Sequence, residues 1–311
     1  MIWSHWLFHH ALPLGACVVL NLDETAVPYQ MTGFHGNVIR AAGNSRAAAL
    51  LYERVPRRDT RGHLTLVSVI SADPALQAHL PQFLLPKDAA LSTAQKHMLA
   101  NLAPPVVYVP ATSGWVTSVI MKDLLTRLRR AVRVHRPDHH IVVALDAANQ
   151  HISNDVLSHA ARLQIHLLLI PARLTHLLQP LDTHVFGPFK RSLQEGHCIM
   201  RGQQPDGILP PRAWITILDN TVRQHFVNRP WASAMVCNGL TGDTSALRPK
   251  LLDILRGLFP LPLRPPSPTE MDQLAGRHRV SLCAKLIRNA ASIGSARVAA
   301  AAAAAAGEAI W

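Results

Sequence analysis

Ile141-Val-Val-Ala-Leu-Asp146 is a short apolar run, rich in β-branched residues, that leads straight into a carboxylate. Its length and composition read as a buried strand. Val18-Val-Leu-Asn-Leu-Asp23 repeats the pattern. An ionised carboxylate at the mouth of a buried strand is costly unless it meets solvent, an opposite charge or a metal ion. Working outward, Cys17 to Leu22, Leu64 to Ile70, Val106 to Val109 and His166 to Ile170 join Ile141 to Leu145 as strands. Between Trp115 and Val134 the period changes. Val116, Ile120, Leu124 and Leu128 recur every four residues, with Lys122, Arg129 and Arg133 on the opposite side, so the spacing predicts an amphipathic helix with a basic face. Ile152 to Leu163, introduced by Ser153 and Asn154 as possible caps, is a second helix. Strand and helix therefore alternate from Val106 to Ile170, which predicts an α/β core with parallel crossovers.

The 311-residue chain carries 31 Lys and Arg against 19 Asp and Glu, a formal charge of +12, which favours a polyanionic partner. At 49% hydrophobic residues it is too apolar to be disordered throughout. Charged residues are only 16%, so the positive excess reflects scarce acids more than abundant bases. The cysteines at 17, 198, 237 and 283 lie far apart without a C-x-x-C pair, which argues for a reducing compartment and against a disulfide framework or a zinc knuckle. The apolar N-terminus lacks a basic residue before its apolar stretch and is interrupted by Pro13 and Gly15, unlike a signal peptide. No apolar run reaches the length of a membrane span, so no membrane partner is expected. The texture changes near residue 200, where Gly202-Gln-Gln-Pro-Asp-Gly207 and Pro210-Pro211 punctuate the chain. The organisation expected is a lead-in over 1–15, the α/β core over 16–200, a helical part over 201–260 and a basic, low-complexity tail over 261–311 that ends in the alanine run 299–306.

At strand ends of an α/β sheet, acidic groups converge on one edge, where sites commonly form. Asp182 follows the strand His166 to Ile170 and is a third candidate beside Asp23 and Asp146. Three carboxylates on neighbouring elements suit hard divalent cations, which prefer oxygen ligands. A pair of such ions can activate a water or a 3′-hydroxyl for in-line attack on a phosphodiester. The 35 residues between Asp146 and Asp182 decide nothing by themselves in a chain with 14 aspartates. Context has to carry the reading.

That context is Asn21-Leu-Asp-Glu-Thr25, then Leu145-Asp146 with His151 five residues on, then Pro171-Ala and Leu177-Leu-Gln-Pro-Leu-Asp-Thr-His-Val-Phe-Gly-Pro-Phe-Lys190. Together they resemble the DDE superfamily endonuclease domain of pogo, Tigger and jerky-like transposases, over roughly Val18 to Lys190, with Gly114-Trp-Val-Thr117 similar to a helix start of that family. The resemblance implies a ribonuclease H-like mixed sheet flanked by helices, followed here by a mainly helical, basic C-terminal extension. It also implies a catalytic, metal-binding triad of Asp23, Asp146 and Asp182 with Mg²⁺ or Mn²⁺, DNA as partner, a homo-oligomer for synapsis of two ends, and a nuclear location. Two departures stand out. The family usually has Asp-Asn or Asp-Gly-His after the second acid and then Ser-His, where this chain has Asp146-Ala-Ala-Asn-Gln-His151. Relatives also place helix-turn-helix DNA-binding modules before the core, whereas 22 residues precede Asp23 here, so a truncated or domesticated copy, or a partial gene model, is expected.

The plainer readings are an ordinary strand-end acid for Asp23 and Asp146, and for Asp182 an acid at a helix N-terminus, where the dipole welcomes negative charge. Glu24 should point to the other side of its strand and is not counted as a ligand. His151 is a candidate to order a carboxylate or water near Asp146. The 18 histidines show no zinc-ligand spacing, and neither a nucleophile elbow nor a phosphate loop occurs. Lys122, Arg129, Arg133, Arg57-Arg58 and Lys190-Arg191 are candidate phosphate contacts that would supply affinity without reading bases, the last pair foremost because it follows the third acid.

Overall fold

The computed structural model describes residues 17–29, 37–41, 50–54, 63–148, 150–170, 174–204, 209–241 and 246–251. Arg57-Arg58, the lead-in and the chain from 252 onward, including the alanine run, lie outside the described residues. The strands are β1 (Cys17–Pro28), β2 (Asn37–Ala41), β3 (Leu50–Arg54), β4 (His63–Ser71), β5 (Gln82–Pro86), β6 (Val106–Tyr108), β7 (His140–Asp146) and β8 (Ile165–Ile170). The helices are α1 (Pro74–Gln77), α2 (Thr93–Ala100), α3 (Ser118–His135), α4 (Asn154–Arg162), α5 (Thr175–Leu178), α6 (Phe186–Gly202), α7 (Pro211–Val222) and α8 (Ala232–Cys237).

Six strands form one sheet in the order β6-β5-β4-β1-β7-β8, and β2 and β3 form a separate antiparallel pair. Strand β4 runs antiparallel to β1 and β5, while β1 with β7, β7 with β8 and β5 with β6 are parallel. This is the mixed, ribonuclease H-like sheet flanked by helices that the resemblance implies. All strands except β4 run the same way, so the C-terminal ends of β1, β5, β6, β7 and β8 share one edge.

Alternation along the strands divides the core in two. Val18, Leu20 and Leu22 of β1 and Ile141, Val143 and Leu145 of β7 pack under α3 and α4, against Met121, Leu124, Leu125, Leu128, Val156 and Ala160. Val19 and Val27, with Val142 and Ala144, face the opposite layer, built from Leu181, Val185, Phe189, Leu193, Trp214, Leu218, Phe226 and Met235. The helices after residue 200 thus complete the second layer over the sheet. The positions of β1 and β7 that carry acids, Asp23 and Asp146, belong by parity to this second face.

Local chemistry explains most boundaries. The Thr117 hydroxyl accepts from the Ile120 amide at 3.3 Å and starts α3, after Gly114 has turned the chain with φ of +73°. Ser153 caps α4 in the same way through the Val156 amide, at 3.4 Å. Leu181, Val185 and Phe189 form a buried stripe. One widened turn over Leu181–Val185, closed by the Phe186 amide on the Leu181 carbonyl, stands just ahead of α6.

Two features differ from expectation. Strand β5, Gln82-Phe-Leu-Leu-Pro86, is not among the strands expected from the sequence. And α3 does not link neighbouring strands: it carries the chain from β6 at one edge across β5, β4 and β1 to β7. The helices that do join neighbouring parallel strands are α2, between β5 and β6, and α4, between β7 and β8. Cys17, Cys198 and Cys237 are free thiols. Among the described residues no helix is long and apolar enough to cross a membrane.

Candidate functional site

The backbone ladder between β1 and β7 ends at the pair Asn21 and Ala144, and two residues further along each strand come Asp23 and Asp146. The two acids thus share one face by strand parity and lie just past the end of that ladder, Asp146 at the end of β7 and Asp23 inside the longer β1. Asp182 arrives from β8 by way of α5 and the widened turn. Leu181, just before it, donates its amide to the Asn21 side-chain oxygen at 3.0 Å, which fastens the third acid's backbone to the strand of the first.

The electrostatics show that the three carboxylates lie within each other's fields. Asp23, only 8% exposed, has its carboxyl raised well above the usual range by burial first, then by the negative charges of Asp182, Glu24 and Asp146; the Glu24 amide, donating to Oδ1 at 2.8 Å, offsets part of this. Partial desolvation and the charge of Asp146 raise Asp182, opposed by Lys190, by a hydrogen bond from Thr175 and by His176. Asp146 behaves differently. Burial alone would raise it, but His151 outweighs burial and leaves its carboxyl below the usual value.

His151 is fully buried between two carboxylates, donating through Nδ1 to Asp146 Oδ1 at 2.6 Å and through Nε2 to Glu24 Oε1 at 2.8 Å. Burial works against its charge, yet these two partners push its pKa up to about 10, so it is an imidazolium at neutral pH. In the metal-free protein, the His151 ring resonances are expected to show no titration between about pH 6 and pH 8, in contrast to an ordinary histidine; an NMR pH series on ring-labelled protein checks this. Glu24 is the residue that sequence reasoning passed over. It does lie on the other face from Asp23, as strand alternation requires, but its side chain reaches His151, 127 positions away. The adjacent Asp-Glu pair in β1 and the histidine five residues after Asp146 were the available signals.

The candidate phosphate contacts separate into groups. Lys190 and Arg191 are exposed on the first turns of α6, with Lys190 close enough to Asp182 to lower its pKa. Lys122 lies in the second turn of α3, on the layer behind the acids. Arg129 and Arg133 are drawn to the opposite end of that helix, where both donate to Gln164 Oε1 at 3.3 Å, and Arg133 also donates to the Pro137 carbonyl. The structure thus brings Lys190 to the acids and leaves Arg129 and Arg133 beside the starts of β7 and β8.

By chemical type the three aspartates suit a hard divalent ion, although among the described residues the ligand atoms gathered within 4.8 Å of one another are those of Glu24, Asp146 and His151, not those of the three aspartates. Asp23, Asp146 and Asp182 offer only oxygens, and a cation among them would relieve the mutual repulsion that raises Asp23 and Asp182. The group of Glu24, Asp146 and His151 is less suited to a metal, because both ring nitrogens of His151 are already spent on the two carboxylates.

Comparison with known proteins adds the following. A family model described as DDE superfamily endonuclease matches residues 65–220, half of the chain. The matched span holds Asp146 and Asp182 but begins after Asp23, whose membership of the cluster comes from the strand register. Among solved structures, the Mos1 transposase paired-end complex with left transposon end is similar at 16% identity and a TM-score of 0.37, covering 71% of this chain and 55% of that one. The Mos1 mariner paired end complex with Mn is similar at 14% identity and a TM-score of 0.39, covering 71% and 54%. A pre-cleavage Mos1 transpososome gives 15% and 0.38, covering 71% and 56%. The chain spans about half the length of these structures. No curated protein matches it. By the family model, whose span encloses Asp146 at the end of β7 and the Gln179-Pro-Leu-Asp182 segment, the chain belongs to the DDE superfamily endonuclease family.

Proposed function

We propose that this chain binds DNA and cleaves and joins its phosphodiester bonds, with Asp23, Asp146 and Asp182 holding Mg²⁺ or Mn²⁺. What supports this best is that Asp23 and Asp146 follow the last paired residues of the parallel strands β1 and β7 by two positions each, and that the charges of Asp146 and Asp182 both act on Asp23. When bound, such ions supply Lewis-acid activation of the attacking water or 3′-hydroxyl and neutralise charge on the leaving oxygen. Asp23 and Asp182 present oxygens whose pKa values are raised until a cation arrives. Asp146 presents an oxygen already ionised, held in place by the imidazolium of His151, which Glu24 steadies from the other side. Lys190 and Arg191 contact the backbone phosphates next to the reacting one and fix the strand without selecting its sequence. The excess of positive charge draws the polyanion in.

A second reading keeps the fold and DNA binding without strand chemistry, as in a domesticated copy. It is favoured by Ala147-Ala148, which replace the polar residues usual in the family after the second acid. Against it, His151 still holds Asp146 through a short ion pair. A nicking assay on supercoiled plasmid separates the two: relaxation in Mg²⁺ or Mn²⁺ that EDTA abolishes is expected of the enzyme, and retention of DNA without relaxation is expected of the binding protein. Replacing Lys190 with Ala is expected to weaken DNA binding for all sequences alike and to reduce the slope of log affinity against log salt by about 1. Fluorescence anisotropy across a salt series measures both.

A further inference from the structure

The side chain of Asn21, on β1, touches both β7 and the turn that carries Asp182. It is 0% exposed, and its amide makes two contacts that span most of the chain: Nδ2 donates to the Ala144 carbonyl of β7 at 3.0 Å, and Oδ1 accepts from the Leu181 amide at 3.0 Å. Each contact sits beside an acid. Asn21 precedes Asp23 by two residues, Ala144 precedes Asp146 by two, and Leu181 precedes Asp182 by one. The Ala144 contact falls where the backbone ladder of β1 and β7 stops. The Leu181 amide belongs to the first turn after Pro180, where a helix start leaves N–H groups without partners in the helix.

We infer that Asn21 is a positioning residue that sets the distance between the three acids of the metal site; this rests on the metal-binding reading above. One planar amide answers a carbonyl and an N–H at once, which fixes two elements against β1. Neither near neighbour in size does the same. An aspartate would accept from Leu181 but set a carboxylate oxygen against the Ala144 carbonyl, and would add a charge where Asp23 is already raised by its neighbours. A leucine would leave both backbone groups buried without partners. The strut acts on Asp182 above all, because Asp23 and Asp146 are also held by strand pairing, whereas the turn bearing Asp182 has no ladder to the sheet among the described residues.

The test compares Asn21→Ala and Asn21→Asp with wild type by Mn²⁺ titration, read by electron paramagnetic resonance, with melting temperature measured alongside. Val132→Ala, in the opposite core layer, serves as a control for loss of stability without a change at the acids. Both Asn21 variants are expected to bind Mn²⁺ at least about tenfold more weakly while the control keeps wild-type affinity. Wild-type affinity in the Asn21 variants, or an equal loss in the control, overturns the inference. Should the variants fail to fold, hydrogen exchange in the wild type decides: the Leu181 amide is expected to be protected as strongly as the β1 and β7 ladder amides, and rapid exchange overturns the strut. A wild type that takes up no Mn²⁺ overturns the metal reading and this inference with it; a wild type that binds while Asn21→Ala binds equally well overturns the inference alone.

Discussion

Asp146→Asn is expected to remove metal-dependent DNA cleavage by at least about a thousandfold, equivalent to about 4 kcal/mol of transition-state stabilisation, while DNA affinity changes little. The reason lies in what Asp146 does alone among the three acids. It is the one whose pKa is lowered, because His151 donates to it at 2.6 Å and carries a positive charge. Asparagine keeps the shape, and its oxygen can still accept from His151. It loses the negative charge that a divalent ion needs and leaves the imidazolium with Glu24 as its single charged partner. On the proposed reading, affinity for DNA would come from Lys190, Arg191 and the general positive field, none of which this change touches. Plasmid nicking together with anisotropy binding on the same preparation measures both quantities. Full cleavage by the variant would remove Asp146 from the chemistry.

Asp23→Asn is expected to act in two opposite directions: the metal-free protein becomes more stable at neutral pH, and Mn²⁺ no longer stabilises it. Asp23 is buried among like charges, and its carboxyl is raised well above the usual range, first by burial and then by Asp182, Glu24 and Asp146. A group whose folded pKa is raised contributes stability that is complete below its unfolded pKa and is lost as pH rises through the folded one. Wild type should therefore fall behind Asp23→Asn as pH climbs from about 4 toward neutrality. The advantage of the variant at neutral pH is expected to be on the order of 1 kcal/mol, because the Glu24 amide offsets part of the cost of burying the charge among like charges. Asp146, with its folded pKa lowered, has the reverse dependence: its contribution is present above the unfolded value and fades as pH falls through the folded one. The two windows lie on either side of the ordinary carboxylate range. Urea unfolding at several pH values, with and without Mn²⁺, reads the difference; a variant less stable than wild type throughout would contradict the picture of an acid held at a cost for a cation.

Much of this site is legible in sequence because it is built from local events. Five apolar residues and an aspartate in β7 state a strand and its exit in six positions, whereas in β1 the same pattern gives the strand but not its end: β1 runs on to Pro28 in pairing with β4, so Asp23 lies inside it. Asp182 could be placed from Gln179-Pro-Leu-Asp182, where proline starts a helical turn. What resisted reading is whatever depends on side chains meeting across long separations. Asn21 and Leu181 are 160 positions apart, and an asparagine inside a strand pattern offers no hint of its partners. Glu24 was set aside by strand alternation, which correctly gave its face but could not show that His151 reaches round the strand ends to meet it. Arg129 and Arg133 illustrate the opposite error of periodicity. They share a helix face with Lys122, but an 18-residue helix spans about 27 Å, so one face can hold groups at both ends of the sheet. Strand β5 was not read from the sequence, although an antiparallel partner on one side and a parallel one on the other embed it fully.

The most direct measurement of the central claim is the anomalous scattering from a crystal of the full chain soaked in Mn²⁺. The account predicts manganese bounded by the carboxylates of Asp23, Asp146 and Asp182, on the face of the sheet that carries Asn21, with His151 still paired to Asp146. Manganese seated instead between Glu24 and His151, or no manganese at the acids at all, would contradict it.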